Sequence, residues 1–153
     1  IERFLDGGRL LDGIISQELI ESIFDPSSPG HDGATIIQRD RVARFAAHLP
    51  LSKNLKELKG WGTRHSAALG ITERSDALCV VISEERGIIS IASHGKLKEL
   101  SDEKELVTQL NIFLKEKFPE QSRRITDYFI KKNSLEKLIA LASAIVFKLL
   151  LNR

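Results

Sequence analysis

The sequence has 153 residues and one cysteine, and its 23 basic and 21 acidic side chains are interspersed to a formal net charge of +2. That length suits one domain able to bury a core without disulfide or metal staples. The charge balance excludes a nucleic-acid coat or a polybasic membrane tether, so an anion site must be local and no nucleic-acid partner is expected.

Cys79 lies inside the apolar run 77–82, where a small buried residue is expected, and this fits a reducing, cytoplasmic setting. The chain lacks methionine and starts at Ile1 within a charged stretch. It reads as a piece of a longer protein, with room for a membrane anchor outside it.

Residues 1–13 mix glycine pairs with Leu10-Leu11 and read as a lead-in or short strand. Ser16 is a good N-cap, and Leu19, Ile20, Ile23 and Phe24 follow at helical spacing, which predicts a short helix to about Phe24. Asp25-Pro26-Ser27-Ser28-Pro29-Gly30 breaks it and delivers the chain to His31-Asp32-Gly33. Residues 34–38 and 42–48 read as an antiparallel hairpin around Arg39-Asp40-Arg41, ended by Leu49-Pro50-Leu51. Ser52 or Asn54 is a cap for a short helix through Lys59, and Gly60-Trp61-Gly62 is a joint carrying the sole tryptophan. Trp61 reads as an apolar plug at the domain edge, with base stacking as the other reading.

A helix is predicted from Thr63 to about Glu73. The unbroken apolar run within 76–82 predicts a strand covered on both faces, and 88–93 returns as its hairpin partner, closed by Gly95. Leu106, Leu110, Phe113 and Leu114 line one face of a helix over 103–118, stopped by Pro119. Two further helices, 121–132 and 134–151, are expected in the tail. The second suits a packing helix or oligomer contact, and a truncated membrane entry is the other reading, because the run is short and carries Lys148. The expected division is a domain over 1–119 and a helical extension over 120–153.

Two stretches carry chemistry. Gly62-Thr63-Arg64-His65-Ser66 opens a helix with backbone donors and two basic side chains, the makeup of a phosphate cradle. In His31-Asp32-Gly33-Ala34, Asp32 can take a proton or bind a hard cation, His31 can ligate a metal, and Gly33 leaves the backbone open to a ligand. Each stretch has a plainer reading, a bare helix N-terminus and an Asp-Gly turn opening a hairpin. No Walker sequence, Gly-x-Gly-x-x-Gly fingerprint, Cys-x-x-Cys pair or Gly-x-Ser-x-Gly elbow is present.

The ordered set Asp32-Gly33-Ala34, Leu49-Pro50-Leu51-Ser52, Gly62-Thr63-Arg64-His65, Ser75-Asp76-Ala77-Leu78 and Ser83-Glu84-Glu85 strongly resembles the diadenylate cyclase (DisA-N) domain family, from about Leu11 to Leu97. The resemblance implies an α/β (α+β) fold with a mixed, largely antiparallel central sheet flanked by helices. It also implies condensation of two ATP molecules into cyclic di-AMP with release of two pyrophosphates, using Mg²⁺ or Mn²⁺, in a face-to-face homodimer. By the same resemblance, Asp32 activates the ribose 3′-hydroxyl, and His31 with Asp32 holds the metal. Gly33 and Ala34 admit the nucleotide, Leu49 touches the adenine, and Gly62, Thr63, Arg64 and His65 grip the triphosphate. Ser83 and Glu84 line the nucleotide and metal site.

Ser66 stands where the family's Arg-His-Arg motif has a basic residue, and its hydroxyl serves either a phosphate oxygen or a helix contact. His48 stands where an aromatic is common, as an adenine-stacking group or a strand-end surface histidine. An active cyclase is the first reading. A degenerate domain binding ATP or cyclic di-AMP in a regulatory role is the second, and a scaffold that uses its apolar tail is the third.

Overall fold

The computed structural model describes residues 1–83, 86–117 and the backbone of 145–147. A single 3₁₀ turn at Glu2–Phe4 leads into β1 (Asp6–Ile14), so the glycine-rich lead-in is a nine-residue strand. Ser16 caps α1 (Gln17–Phe24), its side chain accepting from the Leu19 N–H at 3.1 Å, and Ile20, Ile23 and Phe24 are buried along one face. β2 (Ala34–Gln38) and β3 (Arg41–His48) form the expected hairpin, turned at Arg39-Asp40 with Arg39 at φ 59. Register shifts in the β2–β3 pairing, with Ala46 at φ 50, mark a bulge near the open end of the hairpin.

The helix expected before Lys59 is a series of turns. Ser52 Oγ accepts from the Asn54 N–H at 3.0 Å and Asn54 Oδ1 from the Glu57 N–H at 3.4 Å, so both supposed caps close local turns. Then come α2 (Thr63–Thr72), β4 (Leu78–Ser83), β5 (Ile88–Ser93), β6 (Lys96–Leu100) and α3 (Glu103–Lys117). The α3 residues expected to be apolar-facing, Leu106, Leu110, Phe113 and Leu114, are all buried, while the expected stop at Pro119 lies outside the described residues.

Of the tail helices, 121–132 and most of 134–151 also lie outside the described residues, but Ile145–Phe147 is a strand, β7, correcting the helix there. It runs parallel to β2 and antiparallel to β4, and two β-branched residues followed by phenylalanine suit that place. A helix in that slot would leave facing edges of β2 and β4 unpaired. The sheet order is β1-β3-β2-β7-β4-β5-β6, with one parallel pairing and the rest antiparallel.

Alternation along β4 sorts the core. Leu78, Val80 and Ile82 join Phe24, Leu106 and Leu114 beneath α1 and α3, and Cys79 and Val81 join Ala34, Ala47, Ala68 and Ile71 beneath α2. Both faces are therefore covered, which is why the run is continuously apolar. The α2 face is built from small residues and lets that helix approach closely, a requirement of the site it opens on.

Candidate functional site

The proline-serine loop after α1 is a string of local turns: Asp25 Oδ1 accepts from the Ser27 N–H at 2.8 Å, and Ser28 O from the His31 N–H at 3.2 Å. It presents Asp32 and Gly33 at the mouth of β2. Gly33 has φ 122, and a Cβ there would lie 2.8 Å from the Ala46 backbone, so the loop crosses the β3 bulge where only glycine fits.

Asp32, Gly33 and Ala34 form one wall of a cleft of about 190 Å³. Ala47 and His48 at the end of β3 continue that wall, Leu49 and Leu51 give an apolar side, and Thr63, Arg64 and Ala67 of α2 form the opposite side. Gly70 sets the distance between helix and loop. A Cβ on it would lie 2.7 Å from Leu51 C and Ser52 N and closer still to Pro50 O.

The N-terminus of α2 opens beside this cleft. Gly62 is the N-cap and no side chain caps it, leaving the first-turn N–H groups available to an anion. A second cavity of about 540 Å³ adjoins there and shares Thr63 and Arg64 with the first. Trp61, Gly62, Ser83 and Arg86 also line it. The two cavities thus meet at Thr63-Arg64, an apolar slot on one side and a polar, basic lobe on the other.

His65 is buried, with Nε2 2.8 Å from Ser90 Oγ, and its ring stacks on Trp61 at 4.3 Å between centroids. Ser90 Oγ also lies 3.3 Å from Val81 O, so a hydroxyl that donates to Val81 O pairs with the imidazole tautomer protonated at Nε2. Burial first, then the charges of Arg86 and Arg64, brings the His65 pKa down from 6.5 to about 4. At neutral pH it is an uncharged imidazole.

Asp32, Gly33, Ala34, Leu49, Thr63 and Arg64 come together in the first cleft, and Gly62, His65 and Ser83 in the second cavity with Thr63 and Arg64 again. His31 adjoins Asp32 without lining either. Ser66 is turned elsewhere: its Oγ donates to Ser52 O at 3.3 Å, and Ser52 N donates back to Ser66 O at 3.0 Å. Glu84 lies outside the described residues.

Ala47, Leu51, Ala67 and Arg86 line the cavities without having been singled out from sequence. Two of them carried a signal. Ala67 is one turn after Thr63, and Ala47 faces Ala34 across the hairpin.

The site is an apolar slot that continues into an uncapped helix N-terminus with arginines, on a mixed α+β fold, and its shape and charge suit an anion carried on an apolar group. The chain belongs to the family described as DisA bacterial checkpoint controller nucleotide-binding, which matches residues 1–97. It is 43% identical over 101 residues to the cyclic di-AMP synthase CdaA of Bacillus subtilis, covering 65% of this chain and 37% of that one. It is 42% identical over 116 residues to a diadenylate cyclase of Listeria monocytogenes, covering 71% and 42%. The chain therefore spans well under half the length of these two relatives.

Among solved structures, DacA from Staphylococcus aureus, as an N166C/T172C double mutant, superposes with a TM-score of 0.63 at 47% identity, covering 71% of this chain and 70% of that one. A protein of Bacillus cereus described as a hypothetical membrane spanning protein superposes with a TM-score of 0.63 at 40% identity, covering 66% and 50%. Among the described residues, no helix is long and apolar enough to cross a membrane.

Proposed function

We propose that this chain is a diadenylate cyclase domain that condenses two ATP molecules into cyclic di-AMP and two pyrophosphates. The observation that carries it is the junction of the two cavities at Thr63-Arg64, with Asp32 on the facing wall of the apolar slot. A base placed between Leu49, Leu51 and Ala67 directs its phosphates toward the first-turn N–H groups of α2, Arg64 and Ser83. Asp32 then borders the ribose and accepts the proton of a 3′-hydroxyl.

Phosphoryl transfer draws mainly on alignment and charge cancellation, and these residues supply both. His65, uncharged and fixed on Ser90, shapes the floor of the phosphate lobe. Ala34 and Gly33 keep the entry narrow and free of side-chain bulk. Ser66 belongs to the packing of α2 on the 50–54 turn.

The donor set suits Mg²⁺ or Mn²⁺, ions commonly held by one or two carboxylates together with substrate phosphates. Asp32 is the carboxylate of the first cleft, with His31 beside it and Glu84 as a further oxygen donor from the family pattern. When bound, the cation offsets phosphate charge.

One cleft takes one ATP, so joining two nucleotides requires two copies with their clefts facing. Leu51 at the cleft rim is 53% exposed and Leu55 on the same turn is 81% exposed, apolar surface suited to being covered by a second copy. The cyclase domain is taken as 1–119 together with β7, which fills the sheet between β2 and β4, and the remaining residues after 119 are an extension.

The test is incubation with ATP and Mn²⁺ or Mg²⁺, following cyclic di-AMP and pyrophosphate. Asp32→Asn should lower the rate at least about 100-fold while ATP still binds, the scale of a lost general base. A rate rising more than linearly with protein concentration supports the dimer. ATP binding without product under either metal would replace this reading with a regulatory nucleotide-binding domain.

A further inference from the structure

We infer that Trp61 and Arg86 form a clamp for the outer phosphates of the nucleotide, with Arg86 as the ligand and Trp61 as the residue that positions it. The inference rests on the ATP reading of the cleft and adds to it residues that no motif contains. Arg86 follows the β4 strand end and reaches back across the polar lobe to the joint before α2. Its Nη1 donates to Gly60 O at 3.1 Å, and its Cζ stands 5.6 Å from the centre of the Trp61 ring, within cation–π range.

The Trp61 ring also meets His65, at 4.3 Å between ring centroids with the planes tilted by 36°, and His65 is itself anchored on Ser90. His65, Trp61 and Arg86 thus form a chain of contacts that starts at the buried sheet, and with the Gly60 O bond it restrains an exposed guanidinium that would otherwise sample many rotamers. One N–H on Gly60 O leaves the rest of the donor fork for other acceptors.

The cavity that these three residues line is the one into which the α2 N-terminus opens, and Arg64 lines it too. Two guanidinium groups and first-turn N–H groups around one lobe match a diphosphate in charge and in donor geometry. Arg86 itself lines that lobe. A conventional salt-bridge role would use one carboxylate; a lobe of about 540 Å³ has room for the two terminal phosphates of ATP or for free pyrophosphate.

The test is calorimetric titration of the full chain with α,β-methylene-ATP, which cannot be cyclised, and with inorganic pyrophosphate and adenosine. Arg86→Ala should weaken the analogue and pyrophosphate at least tenfold and leave adenosine within twofold, which also shows that the variant is folded. Arg86→Lys, keeping the charge, should recover part of the loss. Trp61→Ala should weaken pyrophosphate several-fold, and Trp61→Phe, keeping an aromatic face, should restore it. Because Trp61 is the sole tryptophan, its emission should change with pyrophosphate in the unmodified chain and not in Arg86→Ala. Analogue binding that survives Arg86→Ala within twofold, or an equal loss for adenosine, overturns the clamp alone. An unmodified chain that binds no analogue overturns the clamp and the ATP reading together.

Discussion

The 2.8 Å hydrogen bond between His65 Nε2 and Ser90 Oγ ties the first turn of α2 to the middle of β5. Ser90 Oγ lies 3.3 Å from Val81 O as well, so the hydroxyl bridges the imidazole and the β4 backbone. Burial and the neighbouring arginines keep this histidine uncharged at neutral pH, and its charge state is a measurable property of the fold.

The sign of its pH dependence follows from the lowered pKa. Between pH 6.5 and about 4 the unfolded chain protonates this histidine and the folded chain does not, so stability from this group is present above pH 6.5 and is lost as pH falls toward 4. Solvent screens the parts due to exposed Arg86 and Arg64, which leaves on the order of 2 kcal/mol. Urea midpoints across that range should fall more steeply for the unmodified chain than for His65→Gln. ATP should reduce the effect, because phosphate offsets both arginines and raises the histidine pKa.

Gly70→Ala tests the spacing of helix and loop. The added Cβ meets backbone at Pro50, Leu51 and Ser52, which no rotamer change relieves, and the cost should be about 3 kcal/mol. The same displacement moves Leu49 and Leu51 at the cleft, so the proposed cyclase activity should fall together with the denaturation midpoint. Gly87→Ala is the comparison. There the Cβ meets open space and only φ 61 is unfavourable, so the loss should be about 1 kcal/mol.

Sequence made the elements legible where one local rule agreed with packing. The Ser16 cap with its apolar stripe located α1, and the unbroken apolar run located β4, because both of its faces are covered. β6 was not found, since Lys96-Leu97-Lys98-Glu99-Leu100 is a charged edge strand whose pairing is supplied by β5. The turn after Ser52 looked helical because the same side chains cap helices and close turns. β7 depends on a slot between two strands that is distant in sequence.

Asp32, Gly33, Thr63 and Arg64 were legible in the site because glycine-shaped loops and helix starts are local features. Arg86 was not, since its place over Trp61 arises only when the β4–β5 turn folds back on the joint before α2.

Ser66→Ala should separate packing from ligand contact. The hydroxyl bonds Ser52 O and lines neither cavity, so its removal should cost about 1 kcal/mol of stability. ATP affinity by calorimetry should stay within twofold. A loss of tenfold or more with stability unchanged would place the hydroxyl on the nucleotide.

Cys79 supplies a clock for opening of the α2 face. Its side chain is fully buried on β4 beneath that helix, and burial pushes the thiol pKa far above its usual value. The native chain should therefore resist a disulfide reagent such as dithionitrobenzoate and react only as fast as the sheet opens. Nucleotide bound at the α2 N-terminus should slow that reaction in proportion to its stabilisation of the fold. Cys79→Ser, which buries a hydroxyl in an apolar layer, should cost about 2 kcal/mol by urea midpoint. Rapid labelling of the folded chain at neutral pH would mean that α2 lifts from the sheet far more readily than its packing on Cys79, Val81 and Ala92 implies.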